Sequence, residues 1–145
     1  MTTSRVRASL VCQAEGKLLL VRLRDPESGV EGLYPPGGAV EAGETPAQAA
    51  ERETLEETGI AAEVTPGVEL VRHYPFRWGG VSYDVTTHYF AATLAEAAEL
   101  EPVVDAAYNL GAVWLPIEEA LEAMALHPVI ASAVACVLRE ADTEA

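Results

Sequence analysis

Three glutamates stand at short spacings in the first half of the chain, and they offer its clearest chemistry. Glu53, Glu56 and Glu57 occupy positions i, i+3 and i+4, so on an α-helix they would share one face. Neighbouring carboxylates repel one another, and the guanidinium of Arg52 can offset only part of their charge. Carboxylate oxygens suit hard divalent cations, and Mg²⁺ commonly joins a few carboxylates to substrate phosphates. The spacing therefore predicts a metal-binding helix face that acts on a phosphate-containing substrate.

Local signals on both sides of the glutamates predict the helix that must carry them. Thr45 suits an N-cap, Pro46 suits the first helical position, and Gln48 can complete a capping box. Gly59 can adopt the left-handed conformation that commonly follows the last helical residue. We therefore predict a helix of about three turns that ends at Thr58.

The alternative interpretation is a solvated helix face that carries glutamate for solubility. A longer pattern argues against it, because the glutamates occur together with Gly38, Glu44, Arg52, Gly59 and Ile60. This pattern resembles the signature box of the Nudix hydrolases, and the flanking segments 33–38 and 114–121 resemble the sequences around that box. Thr54 departs from the resemblance, since an aliphatic residue is usual there. Thr is nearly isosteric with Val, so we expect a small packing cost and intact chemistry.

The resemblance implies a fold and a reaction. The fold would be a three-layer α/β/α sandwich with a mixed sheet, formed as a single domain over residues 1–145. The reaction would cleave a diphosphate linkage in a nucleoside diphosphate derivative by water attack at phosphorus, with Mg²⁺ or Mn²⁺ as cofactor. The short chain favours a nucleoside triphosphate or a related small nucleotide as substrate. The alternatives are ADP-ribose, a dinucleoside polyphosphate, or a catalytically silent module that binds a nucleotide without cleaving it.

The resemblance also implies roles for individual residues. The metal ligands would be Glu53, Glu56, Glu57 and the carbonyl of Gly37. Arg52 would orient the glutamates, and Glu44 would help to fix the loop against the helix. The general base stays open, because Glu53 or Glu56 could serve, and some family members place a further acid on a later loop. Glu101 and Asp105 are the candidates of that second kind.

Substrate-binding residues are predicted outside the box. The segment from Arg72 to Trp78 combines aromatic and basic residues, which suits stacking on a base and pairing with phosphate. From it we select Arg72, Arg77 and Trp78, and we add Arg24 at the end of a predicted strand. The alternatives are a hairpin whose amphipathic residues cover the core, and for Arg24 a solvated strand end.

Composition limits the partners. The chain has 23 Asp and Glu against nine Lys and Arg, and its formal net charge is −14. Such a charge disfavours nucleic acid and anionic membrane surfaces. The partner that the resemblance implies is a small nucleotide. Cys12 and Cys136 lie far apart in apolar stretches without metal-binding spacing, which is typical of free thiols in a reducing cytoplasm.

No apolar run of 18 residues could span a bilayer. The sequence is compatible with a homodimer, and the oligomeric state of the protein stays open.

The remaining elements are expected to form the scaffold. Alternating and apolar runs predict strands at Val6–Gln13, Lys17–Arg24, Val68–His73, Val81–Thr93 and Ala112–Leu115. Further helices are predicted at about Ile117–Ala125 and from Pro128 to roughly Ala141. The residues from Asp25 to Gly32 and the run Pro36-Gly37-Gly38 are expected to be loops that lead into the box.

Overall fold

A computed structural model describes residues 2–100 and 108–144. Seven strands and three helices follow one another along the described chain. In chain order they are β1 (Thr3–Ala14), β2 (Lys17–Arg24), β3 (Glu31–Tyr34), β4 (Gly37–Ala39), α1 (Pro46–Thr58), β5 (Glu69–Trp78), β6 (Val81–Thr93), β7 (Asn109–Pro116), α2 (Ile117–Ala123) and α3 (Pro128–Glu144). No helix in these described stretches is long and apolar enough to cross a membrane.

The strands form one mixed sheet, which confirms the predicted fold class. Its order is β3-β2-β1-β6-β5, while β4 pairs with β1 and β7 pairs with β2. The long central strands β1 and β6 run parallel, and the other pairs are antiparallel. One apolar cluster joins the sheet to α1, and a second joins its other face to α2 and α3. Alternate residues of β1 separate these clusters, with Leu10 in the first and Val11 in the second.

Helix α1 begins and ends where the sequence predicts. The amide of Gln48 donates to Thr45 Oγ1 at 3.1 Å, and the amide of Thr45 donates to Gln48 Oε1 at 2.9 Å. These two bonds form the predicted capping box. Gly59 has φ of 80° and its amide donates to the carbonyl of Leu55, so it ends the helix as expected.

Thr54 fits the buried side of α1 despite its departure from the family pattern. Its side chain is fully buried, and its hydroxyl donates to the carbonyl of Ala50 at 2.8 Å. The hydroxyl is therefore satisfied by the helix itself and leaves no unpaired polar group in the core.

The segment before α1 differs from the prediction, because two short strands occupy parts that were expected to be loops. Strand β3 pairs with β2, and β4 pairs with β1 at Ser9↔Gly37 and Arg7↔Ala39. Backbone pairing forms these strands, and the glycine-rich β4 has almost no side-chain pattern that could reveal it.

Strand β5 also extends past its predicted end at His73, to Trp78. Pro75 sits opposite Asp84 within the paired strand. The strand lies at the edge of the sheet, where a residue without an amide donor on the open side is tolerated. At the other end of the chain, α2 ends at Ala123, two residues before its predicted end.

Replacing Thr45 by Ala should lower the free energy of unfolding by about 1 kcal/mol, because the amide of Gln48 loses its acceptor. For a chain of this size, the melting temperature should fall by roughly 3 °C in a thermal denaturation experiment. Thr45→Ser keeps the hydroxyl and is the matched control, so it should melt close to the parent protein. Equal melting of all three proteins would show that the cap does not stabilise α1.

Candidate active site

A cavity of about 470 Å³ opens beside the carboxylate face of α1. Its floor is formed by alternate residues of β1, β6 and β5, and its acidic wall by Glu53 and Glu57. Among the described residues that line it, four carry a charge: Arg5, Arg7, Glu53 and Glu57. The volume lies in the usual range for small-molecule sites.

Backbone contacts from β4 position the two glutamates of the wall. The amide of Gly37 donates to Glu57 Oε1 at 2.8 Å. A side chain on Gly38 would overlap the carboxylate of Glu53 and would have to displace it. A side chain on Gly37 would collide with Ser9 and the neighbouring backbone of β1. The two glycines therefore let β4 approach both carboxylates closely.

The guanidinium of Arg52 is shared among several acceptors. Its Nε donates to Glu44 at 2.7 Å, and its Nη1 donates to Glu53 at 2.9 Å and reaches Glu56 at 3.3 Å. Its Nη2 donates to the carbonyl of Ala39 at 3.1 Å. Arg52 thus ties the loop before α1 to the carboxylate face.

Burial makes this face unfavourable for negative charge. Desolvation raises the pKa of Glu57 to about 8, although the Gly37 amide and Arg7 act against the shift. The negative charge of Glu53 raises the pKa of Glu57 further. Desolvation also raises the pKa of Glu53, while its bond to Arg52 lowers it. Two carboxylates that destabilise each other's ionised form would be relieved by a nearby cation.

The carboxylate oxygens of Glu53, Glu56 and Glu57 suit a hard divalent cation, but the three side chains do not form a complete metal site. In the described parts of the chain, no three carboxylate, imidazole or thiolate side chains are gathered closely enough to hold a metal ion. Glu56 is the outlying member, since its side chain is 58% exposed and bonded to Arg52. Glu53 and Glu57 already converge on the cavity, and their oxygen chemistry is that of Mg²⁺ ligands.

Aromatic side chains line the cavity at the end of β3 and β5. Phe76 and Trp78 have nearly parallel rings, with centroids 6.3 Å apart. Tyr34 stands edge-on to both, with centroids 6.2 Å from Phe76 and 6.5 Å from Trp78. Behind them, the Tyr34 hydroxyl is bonded to His127 Nε2 at 2.9 Å, and burial lowers the pKa of His127. These three cavity-lining rings, Tyr34, Phe76 and Trp78, are called the aromatic cluster below.

Hydroxyl groups of β5 and β6 also line the cavity floor. The hydroxyl of Tyr74 is bonded to Thr87 Oγ1 at 2.9 Å and to the hydroxyl of Tyr89 at 3.1 Å. Burial raises the pKa of Tyr89, so this part of the floor is polar but uncharged.

The structure brings one of the four predicted substrate-binding residues to the cavity. Trp78 lines it, whereas Arg24, Arg72 and Arg77 are not among its lining residues. Arg24 pairs with Glu31 at 3.3 Å, and Arg77 lies 3.9 Å from Glu27. Arg72 donates to the carbonyl of Val71. A substrate-binding role for these arginines would require contacts outside the cavity.

Several lining residues were missed from the sequence. Arg5 and Arg7 reach the cavity from β1, and Tyr34 reaches it from β3. Alternation along β1 could have placed Arg5, Arg7 and Ser9 on one face. No sequence signal within β1 indicates that this face packs near α1, because β4 and α1 come from a later part of the chain. Glu101 and Asp105, the alternative bases, lie outside the described residues.

Comparisons with known proteins agree with this geometry. The family model described as the NUDIX domain matches residues 1–135. The 8-oxo-dGTP diphosphatase of Haemophilus influenzae is 35% identical over 74 residues, which are 51% of this chain and 52% of that protein. The matched part of the chain thus spans about half the length of this curated relative.

Solved structures share the fold over most of the chain. A NUDIX hydrolase from Nitrosomonas europaea is 27% identical, with a TM-score of 0.64 and coverage of 91% of this chain and 86% of that one. A C. elegans Ap4A hydrolase is 21% identical, with a TM-score of 0.70 and coverage of 94% and 98%, and it supports the fold alone. Because the NUDIX model matches 135 residues and the signature box lies at the cavity, this chain belongs to the Nudix hydrolase family.

Proposed function

We propose that this protein is a Mg²⁺-dependent pyrophosphohydrolase that cleaves a diphosphate linkage in a nucleoside diphosphate derivative by water attack at phosphorus. The favoured substrate is a nucleoside triphosphate or a related small nucleotide. The observation that carries the proposal is the convergence of Glu53 and Glu57 on a cavity that also contains arginines and the aromatic cluster. An acidic wall, cationic groups and ring faces are the three features that such a substrate requires.

The carboxylate face would hold the metal. Glu53, Glu56 and Glu57 would be its ligands, directly or through water, and the carbonyl of Gly37 would be a further one. When bound, Mg²⁺ or Mn²⁺ would draw charge from the phosphate oxygens and lower the pKa of a coordinated water.

The chain's own residues would orient this chemistry. Arg52 would hold Glu53 in place through its bond of 2.9 Å, and the Gly37 amide would hold Glu57. Of the two glutamates considered as base, Glu53 lines the cavity and Glu56 does not. We therefore assign acceptance of the water's proton to a carboxylate oxygen of Glu53.

The aromatic cluster would receive the base of the nucleotide. Ring faces of Phe76 and Trp78 can stack on a purine or pyrimidine, and such stacking tolerates different bases. The Tyr34 hydroxyl is engaged by His127, which fixes its ring edge-on to the other two. The cluster would therefore supply affinity for a base more than discrimination between bases.

The competing function is a silent module that binds a nucleotide without cleaving it. Loss of a box carboxylate is expected in such a module, and this chain retains Glu53, Glu56 and Glu57. Relatives widen the substrates worth testing, since one is named as an 8-oxo-dGTP diphosphatase and another as an Ap4A hydrolase.

Incubation with nucleoside triphosphates, 8-oxo-dGTP, ADP-ribose and Ap4A in Mg²⁺ should release phosphate-containing products from at least one of them. Chromatography of the products identifies the bond that is cleaved. A chelator should abolish turnover, and excess Mg²⁺ or Mn²⁺ should restore it. Binding of a nucleotide without product formation would favour the silent module, and turnover that survives the chelator would remove the metal from the proposal.

Glu57→Gln should reduce kcat by orders of magnitude while the protein stays folded. The amide oxygen can still accept from Gly37, and a neutral amide suits a position where burial already disfavours the ionised carboxylate. Mg²⁺ should raise the melting temperature of the parent by mass action, and this increase should be smaller in the variant.

Glu51→Gln is the control for that variant, because it removes one charge from the same helix. Glu51 does not line the cavity, and its carboxylate accepts from the amide of Val64. It should keep the parent's turnover and its response to Mg²⁺. Normal turnover in Glu57→Gln as well would refute the assignment of the carboxylate face.

Trp78→Ala should raise KM more than it lowers kcat, because a stacking surface binds the ground state and the transition state alike. Loss of base stacking corresponds to roughly 1–3 kcal/mol, so KM should rise by about five- to hundredfold. Trp78→Phe keeps an aromatic face and should recover most of the affinity. Steady-state kinetics on the best substrate test this, and an unchanged KM in Trp78→Ala would place Trp78 in the scaffold.

A further inference from the structure

The cationic side of the cavity has no role in the carboxylate chemistry described above. Two of the nine basic residues of this acidic chain line the cavity, and both lie on β1. Arg5 and Arg7 share a strand face with Ser9, since alternate residues point the same way. The other residues described on this floor are uncharged, so the two arginines supply its positive charge.

Arg7 is a partly buried cation without a protein acceptor in the described chain. It lies between Ala39 of β4 and Thr87 of β6 in the strand register. Within residues 2–100 and 108–144, it forms no hydrogen bond and no ion pair. Its charge nevertheless opposes the rise that burial causes in the pKa of Glu53, Glu57 and Tyr34. Arg7 therefore stands near both the acidic wall and the aromatic cluster.

Arg5 adds a second positive charge on the same face of β1. Its side chain is exposed, and its guanidinium carbon lies 5.2 Å from the centre of the Tyr83 ring. Two residues along a strand correspond to about 6.6 Å, so the two arginines can contact successive groups of an extended anion. Guanidinium groups bind phosphate oxygens through paired hydrogen bonds.

We propose that Arg7 and Arg5 form a phosphate track, which binds the part of the phosphate chain that is not attacked. Arg7 would hold the phosphate next to the reacting one, and Arg5 would hold a phosphate farther along. The track would therefore favour substrates with three or more phosphates over those with two. Its assignment to a substrate rests on the proposed function, but its affinity for phosphate chains can be measured without turnover.

Calorimetry with inorganic triphosphate and pyrophosphate measures the affinity of the phosphate track for these anions. A chelator excludes a contribution from bound metal. Arg7→Ala should weaken binding of both anions by about tenfold to a hundredfold, the loss expected for charged hydrogen bonds. Arg5→Ala should weaken triphosphate binding more than pyrophosphate binding. Arg7→Lys keeps the charge but loses the paired geometry, so it should recover part of the affinity.

Arg22→Ala is the matched control, because it removes an exposed arginine that does not line the cavity. It should bind both anions as the parent does. In steady-state kinetics on a cleaved substrate, Arg7→Ala should raise KM by at least tenfold and lower kcat by a smaller factor.

Three results would overturn the track: no binding of triphosphate by the parent, equal binding by the parent and Arg7→Ala, or an equal loss in Arg22→Ala. A different result separates the track from the proposed function. If Arg7→Ala loses triphosphate affinity while the parent cleaves none of the nucleotides tested, the track stands and the hydrolase proposal fails.

Discussion

The active-site face depends on how Arg52 distributes its one positive charge. Its guanidinium binds Glu44 in the loop before α1 and Glu53 on the helix, and it reaches Glu56. Arg52 does not bind Glu57, which is held by the Gly37 amide and has its pKa raised to about 8 by burial. One cation thus orders the acidic face without neutralising it. In the proposed function, the remaining negative charge is what would favour a divalent metal at this face.

The sheet gives this face a cavity to act on. Strand β4 has glycines where α1 approaches, so the carboxylates of Glu53 and Glu57 lie against its backbone. Alternate residues of β1 and β6 form the floor of the cavity. Strand β5 extends to Trp78, so that Phe76 and Trp78 also line the cavity. The cavity thus combines an acidic wall, two arginines and the aromatic cluster.

The sequence predicted the local parts of this structure and missed the parts that depend on long-range pairing. Helix α1, its capping box and Gly59 follow from short-range signals, and the structure confirms them. Strand β4 was missed because backbone pairing with β1 forms it, and the part of β5 beyond His73 was missed because it is formed by pairing with β6. Arg7 could not be selected from the sequence, since its place in the site depends on the arrival of β4 and α1. Arg72 and Arg77 were selected for the composition of their segment, and Arg24 for its place at the end of a strand. Neither criterion determines the face on which a side chain lies.

Anomalous diffraction from crystals soaked in Mn²⁺ with a non-hydrolysable nucleoside triphosphate analogue tests the central claim most directly. The account predicts a manganese peak at the carboxylates of Glu53 and Glu57 when the analogue is bound. A bound analogue with no manganese at these glutamates, or manganese bound only elsewhere on the acidic surface, would contradict it.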